Sequence, residues 1–135
     1  SVNENELRIL SKYVGISDFP IDYDLKDLEY NTLELSKELK IQIDSHTPIG
    51  TSTASNNNVY CYKSFDVQAN TVTGAGDIWN AANLLSMLSE FSTKDRINFA
   101  NACSALYVSN INSEIPSTRE IVEYIKSKNI KTEFN

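Results

Sequence analysis

The segment Asn70-Thr-Val-Thr-Gly-Ala-Gly-Asp77 constrains this chain more than any other. It joins an extended run around Val67 to an apolar helical run containing Trp79 and Leu84. Two glycines around an alanine let the backbone turn tightly and approach a guest that side chains would block. The amides of Ala75, Gly76 and Asp77 then stand unpaired at a helix start, where the dipole is positive. A phosphate group suits such a place.

Asp77 complicates a plain phosphate cradle, because a carboxylate repels the anion that the turn attracts. It makes sense where a hydroxyl must lose its proton as it attacks phosphorus. Asp77 would take that proton while the Gly74-Ala75-Gly76 turn holds the charge building on the phosphoryl group. Such a base is worth about 10²–10⁴ in rate, and a donor to the developing anion about 10²–10³. The alternative is structural: Thr73 caps the helix, the glycines turn the chain, and Asp77 merely favours the dipole.

Around this turn the periodicities predict an α/β chain. Glu4 to Val14 carries Leu7, Leu10 and Val14 at helical spacing, with Gly15 as its stop. Pro20 interrupts, and Leu25 to Lys40 lines up Leu25, Leu28, Leu35 and Leu39. Ile41-Gln-Ile-Asp44 reads as a short strand, and Thr51 to Ala54 with Val59 to Lys63 as a hairpin around Ser55-Asn-Asn-Asn58. Phe65 and Val67 alternate as a further strand. Helices follow over Ala75 to Phe91, over Thr93 to Tyr107 with Asp95 in its first turn, and after Pro116. Ser117-Thr-Arg-Glu120 has the spacing of a capping box. Strands before helices, with no linker or repeat, predict one structural unit: a mixed sheet covered by helices.

Composition removes several function classes. Twelve Lys and Arg against eighteen Asp and Glu give a formal charge of −6, and no dense basic run offsets it, so we expect no nucleic-acid partner. No stretch reaches the roughly eighteen consecutive apolar residues of a membrane span. Cys61 and Cys103 are too few for a disulfide framework or a zinc cluster and read as small buried hydrophobes. The start Ser-Val-Asn-Glu has no signal-peptide pattern, so a reducing cytoplasm is the expected location.

Thr71-Val-Thr-Gly-Ala-Gly-Asp77-Ile-Trp79 resembles the second signature of the ribokinase-like (PfkB) carbohydrate kinases, Asp-Thr-x-Gly-Ala-Gly-Asp followed by an aromatic. Phe99-Ala-Asn-Ala-Cys-Ser-Ala-Leu106 is similar to the Ala-rich helix after that signature. Ile115-Pro-Ser-Thr-Arg-Glu120 is similar to the lead into the last helix, and Asn3-Glu-Asn-Glu6 to the family's Asn-x-x-Glu motif. The resemblance implies the C-terminal half of a ribokinase-like three-layer sandwich: a mixed, mostly parallel sheet, helices on both faces, and an antiparallel hairpin. It implies an ATP- and Mg²⁺-dependent kinase that phosphorylates an alcohol of a sugar. A nucleoside acceptor, or a phosphate-binding module without catalysis, is the alternative. Asp77 becomes the catalytic base, and Gly74, Ala75 and Gly76 the anion hole with Thr73 beside it. Asn101 faces the adenine end of the nucleotide. Asn3 and Glu6 act on Mg²⁺ and phosphate, Glu6 through water. Read by itself, the Asn3–Glu6 pair is a capping box and Asn101 an exposed helical Asn.

The sequence also departs from that pattern. Thr71 stands where the signature has its first Asp, which removes the carboxylate that supports a monovalent-cation site in many relatives. The glycine-rich turn before the hairpin reduces to Thr47-Pro-Ile-Gly50, with Thr47 and Gly50 in the two glycine places. Ser45 and Thr47 can donate hydroxyls to phosphate, or simply belong to a polar turn. His46, the single histidine, lacks the companions of a metal site or a triad and reads as structural. Tyr60 and Tyr62 read as strand packing. The chain starts at Ser1, its one methionine is Met87, and members of the family are far longer. We therefore expect residues 1–135 to be the nucleotide-binding and catalytic portion, incomplete by itself, with the N-terminal half and a homodimer partner as its associates.

Overall fold

The computed structural model describes residues 1–16 and 18–132. The chain forms two compact units, Ser1–Ser64 and a second beginning at Phe65, where the sequence predicts one.

In the first unit β1 (Val2–Asn3) and α1 (Glu4–Tyr13) are followed by α2 (Leu25–Leu39), β2 (Ile43–His46), β3 (Gly50–Ser55) and β4 (Asn58–Lys63). The sheet order is β1-β2-β3-β4. β1 runs parallel to β2, whereas β2–β3 and β3–β4 are antiparallel. The mixed sheet and its hairpin agree with expectation, but among the described strands antiparallel pairing exceeds parallel. Helix α1 stops as the sequence predicts. Gly15 takes φ +79°, its N–H reaches the Lys12 carbonyl at 3.3 Å, and the Ile16 N–H reaches the Ser11 carbonyl at 2.9 Å. Those bonds satisfy the last carbonyls of the helix.

Val2, Leu7, Phe19, Leu28, Leu35 and Ile43 form the core of this unit. Buried hydroxyls pin helix to sheet: Thr32 Oγ1 lies 2.9 Å from Ser45 Oγ. The strand predicted at Ile41–Asp44 begins instead at Ile43, because pairing with β3 fixes a register that buries Ile43 and leaves Ile41 exposed. Asn56 and Asn57 both have positive φ, so β3 and β4 are joined by a two-residue turn whose twist suits the strands.

The second unit is helical: α3 (Ala75–Leu88), α4 (Thr93–Ser109) and α5 (Thr118–Thr132). Helix α4 is buried along Arg96, Ile97, Phe99, Ala100, Asn101, Ala102, Cys103 and Ala105, so small side chains let its neighbours approach closely. Ser117 and Glu120 make the expected capping box: the Ser117 N–H donates to Glu120 Oε2 at 2.7 Å, and the Glu120 N–H to Ser117 Oγ at 3.4 Å. Helix α3 ends at Leu88, short of Phe91. The strand expected around Phe65 and Val67 is not formed. Phe65 instead packs edge-on against Tyr124, ring centroids 5.2 Å apart. An alternating pair makes a strand only where a neighbouring backbone accepts its ladder. Among the described residues no helix is long and apolar enough to cross a membrane.

Candidate active site

The Gly74 turn starts α3 in an unusual way. Every other described helix begins with a side chain bonded to its first amides: Asn3, Asp24, Ser92 and Ser117. Helix α3 begins at Gly74, with φ +81° and no side-chain cap. Thr73 is therefore not the N-cap. Its carbonyl, rather than its hydroxyl, is engaged, accepting from the Tyr107 hydroxyl at 3.1 Å. A Cβ on residue 74 would lie 3.0 Å from that same hydroxyl. Glycine is required here for its φ and for its emptiness.

The amides differ from expectation in one respect. The Ala75 N–H is already used, donating to the Val72 carbonyl at 3.2 Å, and the Ile78 N–H makes the first helical bond to Gly74 at 3.0 Å. Among the described residues, no hydrogen bond takes up the Gly76 or Asp77 N–H. Two adjacent donors at a positive helix end thus remain for an anion, rather than three. Asp77 is exposed at the third helical position, two residues ahead of buried Trp79. An exposed carboxylate beside two open amides can accept a proton from a hydroxyl while the amides hold negative charge.

The loop leading into the turn is fastened to the end of α4. The Asn70 and Thr71 N–H groups donate to the Val108 carbonyl at 2.7 and 3.2 Å, and Asn70 Nδ2 donates to the Ser109 carbonyl at 2.6 Å. Sequence reasoning missed these partners, since Tyr107 and Ser109 carry no motif and nothing local links them to residue 70.

Asn101 is not exposed. Its Oδ1 accepts from the Trp79 indole N–H at 2.8 Å, and it is 5% exposed. That carboxamide braces α3 against α4, which gives it a structural task inside the unit. Thr73, Gly74, Ala75, Gly76, Asp77 and Asn101 all belong to the second unit.

The remaining predicted residues belong to the first. Asn3 and Glu6 form the capping box: Asn3 Oδ1 accepts from the Asn5 and Glu6 amides at 3.0 Å each, and Glu6 Oε2 accepts from the Asn3 N–H at 2.8 Å. Thr47 closes its own turn, with Oγ1 2.9 Å from the Gly50 carbonyl and accepting from the Gly50 N–H at 3.2 Å. Gly50 is there for close approach: a Cβ would sit 2.4 Å from Leu25 Cδ2 and 2.7 Å from the Tyr62 carbonyl oxygen. Thr47 and Gly50, expected at the nucleotide, thus each have a structural role inside the first unit. His46 pairs with Asn3 across β1–β2. Burial lowers its pKa below the usual 6.5, against the pull of the Glu6 and Asp44 carboxylates. Beside the Thr47 turn, burial first and then the Glu4 carboxylate raise the Tyr23 phenol to about 12. Burial likewise pushes the thiols of half-buried Cys61 and buried Cys103 up to about 11, away from the reactive thiolate; only Cys103 is the fully buried cysteine expected of both. Among the described residues no three His, Cys, Asp or Glu side chains converge as a metal site.

No family model matches the chain, and neither does any curated protein. Solved structures do match. The ribokinase of Thermotoga maritima superposes with a TM-score of 0.71 at 24% identity, over 92% of this chain and 40% of that one. The Arabidopsis thaliana ribokinase complexed with ribose and ATP gives 0.71 at 22%, over 93% and 41%. Phosphofructokinase-2 of Escherichia coli, in complex with substrates and products, gives 0.72 at 18%, over 93% and 39%. The chain has a ribokinase-like fold, and it spans about 40% of the length of these structures.

Proposed function

We propose that this chain is the catalytic, C-terminal portion of a carbohydrate kinase, transferring the γ-phosphate of ATP to an alcohol group of a sugar. The observation that carries the reading is the start of α3: an uncapped turn at Gly74, two unpaired amides at Gly76 and Asp77, and the exposed Asp77 carboxylate among them. The fold shared with two ribokinases and a phosphofructokinase supports the choice of a sugar acceptor.

The chemistry follows from the residues. An Asp77 oxygen accepts the proton of the acceptor hydroxyl as that oxygen attacks phosphorus, so that an alkoxide need not form in water. The Gly76 and Asp77 N–H groups donate to phosphoryl oxygens as charge moves onto them, and the dipole of α3 acts in the same direction. The glycines keep side chains out of the phosphoryl path. Against a pure phosphate-binding module stands Asp77 itself, since a binder gains nothing from a carboxylate beside an anion.

The two residues expected to act on Mg²⁺ differ in the oxygens they have to offer. Asn3 Oδ1 already serves two amides and does not fit a ligand. Glu6 is exposed and commits only Oε2 to its backbone partner, which fits a contact through water to an ion that keeps most of its hydration. Mg²⁺ would supply neutralisation of phosphate charge.

The test is Asp77→Asn in a protein carrying this chain together with the rest of the ribokinase-like domain. With ATP and a panel of sugars and nucleosides, turnover is expected to fall about 10²–10⁴-fold while nucleotide binding persists. Undiminished turnover overturns the assignment of the base, and a nucleoside preference redirects the acceptor class.

A further inference from the structure

The Thr73 carbonyl belongs to the peptide that enters Gly74, two residues ahead of the open Gly76 amide, and the direction of that peptide sets how the backbone leads into the turn. Nothing in the motif holds it: Gly74 has no Cβ, and glycine at φ +81° explores more backbone space than any other residue. In this chain it is held by Tyr107, from the last turns of α4. The phenol donates to Thr73 O at 3.1 Å. The same oxygen fills the space a residue-74 side chain would need, 3.0 Å from the ideal Cβ position. A carbonyl free to swing toward a bound anion would repel it, whereas one bonded to a phenol is neutralised and kept on the α4 side.

Farther upstream, the Val108 and Ser109 carbonyls fix residues 70 and 71. These are separate anchors with a separate task. They attach the loop, and Tyr107 orients the peptide that opens into the amides.

We propose that the Tyr107 hydroxyl is a positioning group for the anion-binding turn: by bonding Thr73 O and occupying the space over Gly74, it fixes the Gly76 and Asp77 amides in the orientation that receives a phosphate. The proposal rests on the reading of that turn as a phosphate site. Tyr107 itself touches no reacting atom. Tyr107→Phe removes one oxygen and leaves the ring, so the packing of α4 is retained.

The experiment compares the wild-type chain with Y107F by residue-resolved amide hydrogen exchange, then by titration with inorganic phosphate followed at the Gly76 and Asp77 amide resonances. In the variant, exchange at Ala75 is expected to rise about twofold to tenfold, the weight of one hydrogen bond, while Asn70 and Thr71, held by Val108, keep their wild-type exchange. Phosphate affinity is expected to weaken by a similar factor. Unchanged exchange at Ala75 overturns the proposal. Equal loosening at Ala75, Asn70 and Thr71 also overturns it, because that pattern means Tyr107 merely stabilises α4. Should wild type show no phosphate response at Gly76 and Asp77, the phosphate reading falls, and the positioning of an anion site by Tyr107 falls with it. If wild type responds and Y107F binds equally well, only the Tyr107 proposal is lost.

Discussion

The Trp79 indole N–H donates to Asn101 Oδ1 at 2.8 Å, and both side chains are buried, at 3% and 5% exposure. One residue lies on α3 just beyond the candidate base, the other in the middle of α4. The bond therefore fixes the helix carrying Asp77 on the helix that anchors its leading loop. Replacing Asn101 by Ala strands a buried indole donor, which costs about 1–3 kcal/mol. Urea unfolding followed by the single tryptophan measures this directly. A variant with the wild-type midpoint would mean that the pair does not brace the helices.

Gly50→Ala is expected to destabilise the first unit although the backbone there is ordinary. The new Cβ meets Leu25 Cδ2 at 2.4 Å and the Tyr62 carbonyl at 2.7 Å. The leucine can yield, but the strand backbone cannot move without disturbing the β3–β4 ladder. Overpacking of this kind costs about 1–3 kcal/mol, read as a lower urea midpoint. No loss of stability would show that Gly50 is not a close-approach glycine.

His46 makes stability depend on pH in a definite direction. The fold favours the neutral ring and lowers its pKa below 6.5, so between the folded pKa and 6.5 the unfolded chain binds more protons. Its contribution is complete above 6.5 and is lost as pH falls through that window. Burial drives the shift, the N-terminal ammonium adds to it, and Glu6 and Asp44 oppose it. Urea midpoints measured from pH 7.5 downward should fall, and His46→Gln should flatten the profile. An equally steep profile in the variant would assign the dependence to other groups.

The 135-residue chain alone is expected to show no Asp77-dependent phosphorylation of sugars or nucleosides, since it spans about 40% of the length of the kinases whose fold it shares. Turnover by the isolated chain that vanishes in Asp77→Asn would prove the expectation wrong.

How much was legible follows from how local each determinant is. The Asn3 and Ser117 starts, the Gly15 stop and the Asn56-Asn57 turn depend on residues within a few positions of one another, and they read correctly or nearly so from spacing. The Phe65–Val67 strand failed because a strand needs a partner that alternation cannot supply. At Gly50 and Thr47 spacing does not reveal the structural role, because a polar turn and a phosphate turn share their residue types. The packing reason for Gly50, the Leu25 side chain and the Tyr62 backbone, lies far along the sequence. At the candidate site, Gly74 and Asp77 were visible in the motif. The loss of the Ala75 amide to Val72 and the burial of Asn101 against Trp79 were not, because each depends on how a loop or a helix folds back.

The attachment of residues 70 and 71 to the Val108 carbonyl fixes something besides the loop: the length of α4. Adding or deleting one residue within that helix would rotate every later carbonyl by about 100° and shift it by about 1.5 Å along the axis. Val108 and Ser109 would then face away from Asn70, and Tyr107 would leave Thr73. Substitutions along α4 can be absorbed one at a time, but a single-residue insertion or deletion cannot. Tolerance of the site to evolution and engineering is thus set by the reading frame of a helix that contributes no residue to its chemistry.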